Sequence, residues 1–351
     1  MKKKILAILL TVAMIISMTA CGASTAPSAE APASNGETAA AEEKVETRYL
    51  TLSAVAASSG LFPYCVSLGE VLSKLPELDI TVAESGGNVA NTRELRIGEV
   101  SIANSISNTD YESYTGTGTT FDGDPFTDFR ILWYYESTPI QVFVAEDTGI
   151  SSLEDLDGQS FNPGGTGTAA SVVMHAALDA LNIHPNYFEA AQADAGDAYA
   201  NRQIVGAVKT GSAPDSYIVQ ANTNRPVKLI NYTDEQLATV LEAIPSVTSG
   251  IVPAGAYDGV DYEIQTLCTY QGIQVDMSFS QELVYKMWKA MWEDYADIWK
   301  TAYVNGANNN VPEMTLQAAK TPLHAGTVQY LTELGYEVPA ELIPPEYVPV
   351  G

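Results

Sequence analysis

Four short segments combine glycine with hydroxyl side chains: Ala57-Ser58-Ser59-Gly60, Ser85-Gly86-Gly87-Asn88, Gly164-Gly165-Thr166-Gly167-Thr168 and Thr210-Gly211-Ser212-Ala213-Pro214. Asn104, Ser105, Ser107 and Asn108 add a fifth polar group. Glycine lets the backbone approach a bound molecule closely, and a helix start offers N–H groups without intrahelical partners and a partial positive charge. Together these features hold a carboxylate or phosphate without a lysine. The best instance is Gly165-Thr166-Gly167-Thr168, which runs straight into a helical pattern over 169–181. Phe62, Tyr64, Tyr111 and Tyr135 stand near these segments and either wall a cleft or belong to a core. The candidate ligand contacts are therefore Ser58, Ser59, Phe62, Asn88, Ser105, Ser107, Tyr135, Gly165, Thr166, Gly167, Thr168, Thr210, Gly211, Ala213 and Pro214. Any one of these loops also reads as a structural turn or helix cap. Four of them, each after a predicted strand, argue for a shared site.

Other chemistries find little support. His175, His184 and His324 are scattered singly, without zinc-type clustering, and no G-x-S-x-G elbow occurs. No catalytic constellation is expected, and neither a metal nor a cofactor. Gly165-x-Gly167-x-x-Ala170 matches a dinucleotide fingerprint only weakly, since no acidic residue ends a following strand. Asp122-Gly123-Asp124 with Asp128 lacks the EF-hand spacing and its glutamate. Arg93 and Arg96 follow Gly87 on a helix and either meet a carboxylate or lie on a solvated face. The formal charge of −26, with no Lys/Arg cluster beyond Lys2, Lys3 and Lys4 at the N-terminus, excludes nucleic acid and anionic lipid heads as partners.

The elements that position these loops alternate in type. Tyr49–Val55, Ile80–Glu84 and Val100–Ala103 read as strands. Helical patterns separate them, the first with Leu68, Val71, Leu72 and Leu75 on one face. This βαβαβ series implies an α/β sheet with parallel strands. Ile131–Tyr135 and Ile140–Val144 read as two strands flanking a polar break, after which the alternation restarts. Ser151-x-x-Glu154 and Thr233-x-x-Gln236 read as capping boxes. Ile204–Val208 is a further strand. Ile273 and Val275 alternate as a late strand, and Ser280 caps a long helix. That helix carries Leu283, Val284, Met287, Trp288, Met291, Trp292, Tyr295 and Trp299, a stripe that belongs in a core. The folded part, about 300 residues, suits two lobes rather than one core. The second is expected to be inserted in the first, with hinge crossings near 134–140 and 249–255. A cleft between lobes, beyond the carboxyl ends of the strands, is the place for a small ligand.

The N-terminus sets the compartment. Lys2, Lys3 and Lys4 precede an apolar run from Ile5 to Ala20 that is too short to cross a bilayer, and it ends in Met18-Thr19-Ala20-Cys21. It reads as a signal peptide over 1–20 with a lipobox, so Cys21 is the expected lipidation site. Residues 21–48, rich in Ala, Ser, Thr, Pro and Glu, read as a flexible tether. The expected location is extracytoplasmic, lipid-anchored at the outer face of the cytoplasmic membrane. Cys65 and Cys268 read as two buried small residues rather than a disulfide.

Taken in order, several motifs resemble the TAXI family of solute-binding proteins, the extracytoplasmic receptors of one class of TRAP transporter. They are Ser85-Gly86-Gly87-Asn88-Val89-x-Asn91 with Arg93, Gly98-Glu99, Tyr111-x-x-Tyr114-x-Gly116, Pro163-Gly164-Gly165-Thr166-Gly167-Thr168, Thr210-Gly211-x-Ala213-Pro214, Ile251-Val252-Pro253-Ala254-Gly255-x-Tyr257 and Leu323-His324-x-Gly326. The likeness spans roughly 49–335. It implies a two-lobed, type II-like periplasmic-binding-protein fold, each lobe a mixed, mostly parallel sheet flanked by helices. Lobe 1 would comprise 49–138 plus 254–351 and lobe 2 139–253. It further implies a non-enzymatic receptor that takes a small carboxylate-bearing solute, such as glutamate, glutamine or a 2-oxo acid, to the permease subunits of a TRAP transporter. The first loop departs from the family's glycine-threonine series with its two tyrosines: it reads Ala56-Ala57-Ser58-Ser59-Gly60-Leu61-Phe62-Pro63. Pocket shape and polarity change with it, so ligand identity does not transfer. An ABC-type or sensor-associated receptor keeps the same fold with another partner, and an exported enzyme on a similar scaffold is the more distant alternative.

Overall fold

Two strands far longer than their neighbours organise the molecule: β4 (Phe129–Ala145) and β10 (Ile264–Asp276), paired antiparallel along their length. The computed structural model describes residues 46–57, 59–165 and 168–350. The signal segment, Cys21 and the tether up to residue 45 lie outside the described residues, as do Ser58, Thr166 and Gly167. The chain begins β1 (Arg48–Ser53), α1 (Phe62–Leu72), β2 (Leu78–Ala83), α2 (Asn88–Arg96), β3 (Ile102–Ile106), α3 (Ser107–Thr115), α4 (Gly118–Phe121) and then β4. It continues through β5 (Ser160–Asn162), α5 (Ala169–Ala180), β6 (Asn186–Tyr187), α6 (Gln192–Ala200), β7 (Gly206–Thr210), α7 (Ser216–Asn224), β8 (Val227–Leu229), α8 (Asp234–Ala243) and β9 (Thr248–Val252). After β10 come α9 (Gln281–Lys289), α10 (Ala296–Ala302), α11 (Val311–Ala318) and α12 (Ala325–Glu333).

The described strands form one mixed sheet in the order β2-β1-β3-β10-β4-β7-β5-β6, with β8 added to β4 and β9 to β10. The two outer groups, β2-β1-β3 and β7-β5-β6, are internally parallel. The central pair and its neighbours are antiparallel. Helices cover the faces, as parallel strands joined by crossovers require. Three buried clusters follow this layout. One lies around Leu52, Leu68, Trp133, Ile273 and Trp288 at the β1–β3 end. The other two flank the β5–β7 end, around Phe161, Met174 and Val240, and around Phe143, Tyr199 and Ile218.

Several expectations are corrected. The polar break at 136–139 does not end a strand: β4 passes through it unbroken. Its polar side chains are satisfied where they stand, Thr138 Oγ1 lying 2.7 Å from Thr269 Oγ1 and Glu136 Oε1 accepting from Ser212 Oγ at 2.6 Å. With their bonds made, they need no loop and no water. The sheet is also less parallel than expected, since β4 and β10 insert antiparallel pairings at its centre. Ser151-x-x-Glu154 is not a capping box. Asp155 Oδ2 instead accepts from the Ser151 and Ser152 N–H groups (2.8 and 3.0 Å), starting a single 3₁₀ turn at Glu154–Leu156.

The long C-terminal helix is broken by a π turn at Ala290–Asp294. Tyr295 N–H reaches back five residues to the Ala290 carbonyl (2.9 Å), and Trp299 Nε1 takes the Met291 carbonyl (2.6 Å). The turn lets Trp299 bury as fully as Trp288 while Trp292 packs on Trp133 at 4.6 Å. The core reading of the stripe holds except at Tyr295, which is exposed. The capping box at Thr233/Gln236 and the cap at Ser280 form as expected, and Thr168 caps α5. Cys65 and Cys268 are both buried and unpaired. Burial pushes each thiol up to about 12, so neither is a nucleophile at neutral pH.

Leu323-His324-x-Gly326 has a structural purpose. His324 Nδ1 accepts from Gly326 N–H (3.1 Å) and caps α12, while Nε2 donates to the Phe279 carbonyl (3.1 Å). Burial lowers its pKa to about 4, so the ring stays neutral. Gly326 brings α12 against α9: a Cβ there would lie 2.4 Å from the Gln281 carbonyl oxygen and 2.6 Å from Tyr285 N. Gly326→Ala is expected to push the helices apart and cost about 2–3 kcal/mol, read as a lower urea midpoint.

Candidate functional site

At the carboxyl ends of β1 and β3 a buried amide ties the loops together. Asn91 Nδ2 donates to the Ala54 and Asn104 carbonyls at 2.6 and 2.7 Å, and Ser53 Oγ donates to Asn91 Oδ1 at 2.9 Å. The next layer centres on Asn104. Its Nδ2 donates to Asn88 Oδ1 (3.0 Å) and Gln271 Oε1 (3.2 Å), and its Oδ1 accepts from Tyr135 OH (2.6 Å). Tyr135 in turn stacks on Tyr64 with ring centroids 3.7 Å apart, and both are buried. Asn88, Asn104 and Tyr135 therefore set the loops in place from beneath.

Ser105 and Ser107 are interior too. Ser107 Oγ accepts from Tyr270 N–H at 3.0 Å, fixing the start of α3 against β10. Ser105 Oγ (2.9 Å) and Tyr134 OH (2.8 Å) donate to Asp110 Oδ2, while Asp110 Oδ1 has no partner among the described residues. Burial pushes the Asp110 carboxyl up to about 7 against the opposing pull of those two donors.

From the other half, Thr168 caps α5. Its Oγ1 donates to the Gly165 carbonyl (2.8 Å) and accepts from Ser171 N–H (3.3 Å). Gly211 closes the end of β7, its N–H on the Pro139 carbonyl (3.2 Å) and its carbonyl accepting from Gln141 Nε2 (2.9 Å).

These parts meet in a cavity of about 60 Å³. Ile106 and Asn108 line it from β3 and α3, Ala170 and Val173 from the first turn of α5, and Thr210 from β7. Ile140 and Thr269 of the two long strands form the back. Asn108 is buried, yet its Oδ1 has no hydrogen-bond partner among the described residues, and neither has Thr210 Oγ1. Neither atom presents area to the cavity, whose surface is almost wholly hydrocarbon.

A second contact joins the halves nearby. Buried Glu136 accepts from Ser212 Oγ of the β7–α7 loop (2.6 Å) and from Asn309 Nδ2 (3.1 Å). Burial raises its pKa, with hydrogen bonds from Ser212, Tyr303 and Asn309 pulling the other way. Glu136, Ala213 and Pro214 border a larger groove of about 380 Å³ with Asn305 and Asn309.

Of the residues singled out from the sequence, Thr210 reaches the cavity, and Gly165, Thr168 and Gly211 shape the loops beside it. Ala213 and Pro214 line the neighbouring groove. Ser59 makes the turn before α1, its N–H on the Ala56 carbonyl (2.9 Å), and Phe62 packs half-buried on the first core. Neither lines the cavity. Thr269 and Ile140 were missed because they sit inside strands that look like any others.

A mixed α/β sheet flanked by helices, with a small cavity between its halves, is a periplasmic-binding-protein-like fold. The chain belongs to the NMT1-like family, whose model matches residues 52–335. A TctC solute-binding protein from Polaromonas shares this fold, at 13% identity over 82% of this chain and 98% of that one, with a TM-score of 0.51. The aliphatic sulphonate binding protein SsuA from Escherichia coli matches at 13% identity over 84% and 95%, with a TM-score of 0.44. A probable amino-acid ABC transporter extracellular-binding protein from Bacillus subtilis matches at 12% over 76% and 100%, also at 0.44. Family and fold support a substrate-binding protein. Among the described residues no helix is long and apolar enough to cross a membrane.

Proposed function

We propose that this chain is the extracytoplasmic receptor of a TRAP-type transporter of the TAXI kind, capturing a small carboxylate-bearing solute and delivering it to the permease. The observation that carries the reading is the cavity that joins elements from both ends of the sheet, with Asn108, Thr210 and Thr269 among its lining residues. The α5 start supplies the partial positive charge a carboxylate needs. Lobe 1 would be 49–138 plus 254–351 and lobe 2 139–253, closing about the crossings near 134–140 and 249–255. Cys21 would carry the lipid that keeps the receptor beside its permease. The fifteen contacts derived from the sequence reduce, in this reading, to those around the cavity, joined by Asn108.

The test is thermal unfolding of the purified protein, first unfolded and refolded to strip carried-over solute, against amino acids, 2-oxo acids, other small carboxylates and sugars. A ligand at 100 times its Kd adds about 2.7 kcal/mol, a shift of several degrees at most for a protein of this size. Stabilisation by one class of carboxylate is expected. Stabilisation by sugars alone, or by nothing, would contradict the reading.

A further inference from the structure

We infer that the groove beside Glu136 is a further binding site, one that holds the ammonium group of a small organic cation. This goes beyond the receptor reading and does not rest on the carboxylate assigned to the small cavity. Glu136 is only 4% exposed, yet its carboxylate pairs with no Lys, Arg or His among the described residues. Acidic side chains are seldom buried without a partner of opposite charge. Its donors are Ser212 Oγ (2.6 Å), Asn309 Nδ2 (3.1 Å) and the Tyr303 hydroxyl, all of them neutral. They ease its removal from water but bring no charge. Burial without a cation is what lifts the Glu136 pKa, and a bound ammonium would lower it again.

The groove that Glu136 borders, about 380 Å³, has the size of a small-molecule site. Its polar side chains are biased toward accepting hydrogen bonds. Ser212 spends its one O–H on Glu136. Asn309 spends its Nδ2 hydrogens on Glu136 and on the Tyr135 carbonyl (2.9 Å), so the polar atom it has left to offer is the acceptor Oδ1. The residues lining the groove include no Lys, Arg or His. An ammonium brings three donors together with the missing charge. Pro214, Ile251 and Pro253 give the attached carbon body apolar surface. A carboxylate would instead meet Glu136 as a like charge. Glu136 is also the single carboxylate among the lining residues, too few for a divalent metal that takes about six or more oxygen ligands.

The experiment is calorimetric titration of the refolded protein with butylammonium and with butan-1-ol, its neutral counterpart. Butylammonium is expected to bind at least about 10-fold tighter than the alcohol. Glu136→Gln, with folding checked by its urea midpoint, should weaken butylammonium at least about 30-fold and leave the alcohol unchanged. Asn305 lines the groove from an exposed position, so Asn305→Lys probes the site without disturbing the core. Its added ammonium should weaken butylammonium about 10-fold. Equal binding of the two probes, or butylammonium binding that neither variant weakens, would overturn the inference. No binding of butylammonium, where a carboxylate of the wider panel does stabilise the protein, would overturn it and leave the receptor reading standing. Variant-sensitive butylammonium binding with no response to any carboxylate would uphold it and contradict that reading.

Discussion

Asp110→Asn is expected to stabilise the folded protein above neutral pH by on the order of 2 kcal/mol and to flatten its stability between about pH 4 and 7. Asp110 is fully buried in the first turn of α3 with one carboxylate oxygen unpartnered, and burial holds its pKa near 7. In the unfolded chain an aspartate ionises near pH 4. Between those values the folded protein keeps a proton that the unfolded chain has released, so stability falls as pH rises through the window and levels off above it. A shift of about three units corresponds to roughly 4 kcal/mol. The asparagine amide returns part of that as an unpaired N–H, a cost of about 1–3 kcal/mol. Urea midpoints at pH 5 and pH 8 test the sign. The native protein should gain on acidification relative to the variant, and a variant less stable than native at pH 8 would contradict the account.

Asn104→Leu should be among the most damaging single changes, with a loss of about 4 kcal/mol. Leucine has the same branched shape and number of heavy atoms and is somewhat bulkier, so the loss would not come from a cavity. It would come from Tyr135 OH, Asn88 Oδ1 and Gln271 Oε1, which all lose a partner while remaining mostly buried. Each abandoned buried group costs about 1–3 kcal/mol, and Asn88 and Gln271 recover a little through their own 3.4 Å contact. Tyr135→Phe removes a single donor and should cost only about 1 kcal/mol. If both variants unfold at the same urea concentration, the network is not the support described here. If Asn104→Leu abolishes solute binding in protein that is still folded, the support extends to the ligand loops.

The sheet was legible because its outer strands obey local rules. Tyr49–Val55, Ile80–Glu84 and the Leu68/Val71/Leu72/Leu75 face carry their periodicity in plain view. The central strands hid theirs, because β4 puts Glu136, Ser137, Thr138 and Pro139 in the middle of an apolar run. Only their partners on other segments, Thr269, Ser212 and Asn309, make that tolerable. The π turn was hidden for the same reason, since Trp299 and the Met291 carbonyl meet only once the core has formed. Near the cavity, glycine and hydroxyl residues marked loops that adjoin it but not which side chains line it. Asn88, Ser105 and Tyr135 have the same chemistry as a ligand contact and are spent on each other and on Asn104 and Asp110. Asn108 was visible as one polar residue among several. Its place in the cavity lining depends on β3, α3, α5 and β7 meeting, which no local pattern records.

The central claim is that solute is held between the two halves of the sheet, and amide hydrogen exchange of the refolded protein with and without a stabilising carboxylate tests it most directly. The account predicts slowed exchange together at 107–111, 169–174 and 208–212, segments from both halves that line or adjoin the cavity. Protection confined to one half would contradict it.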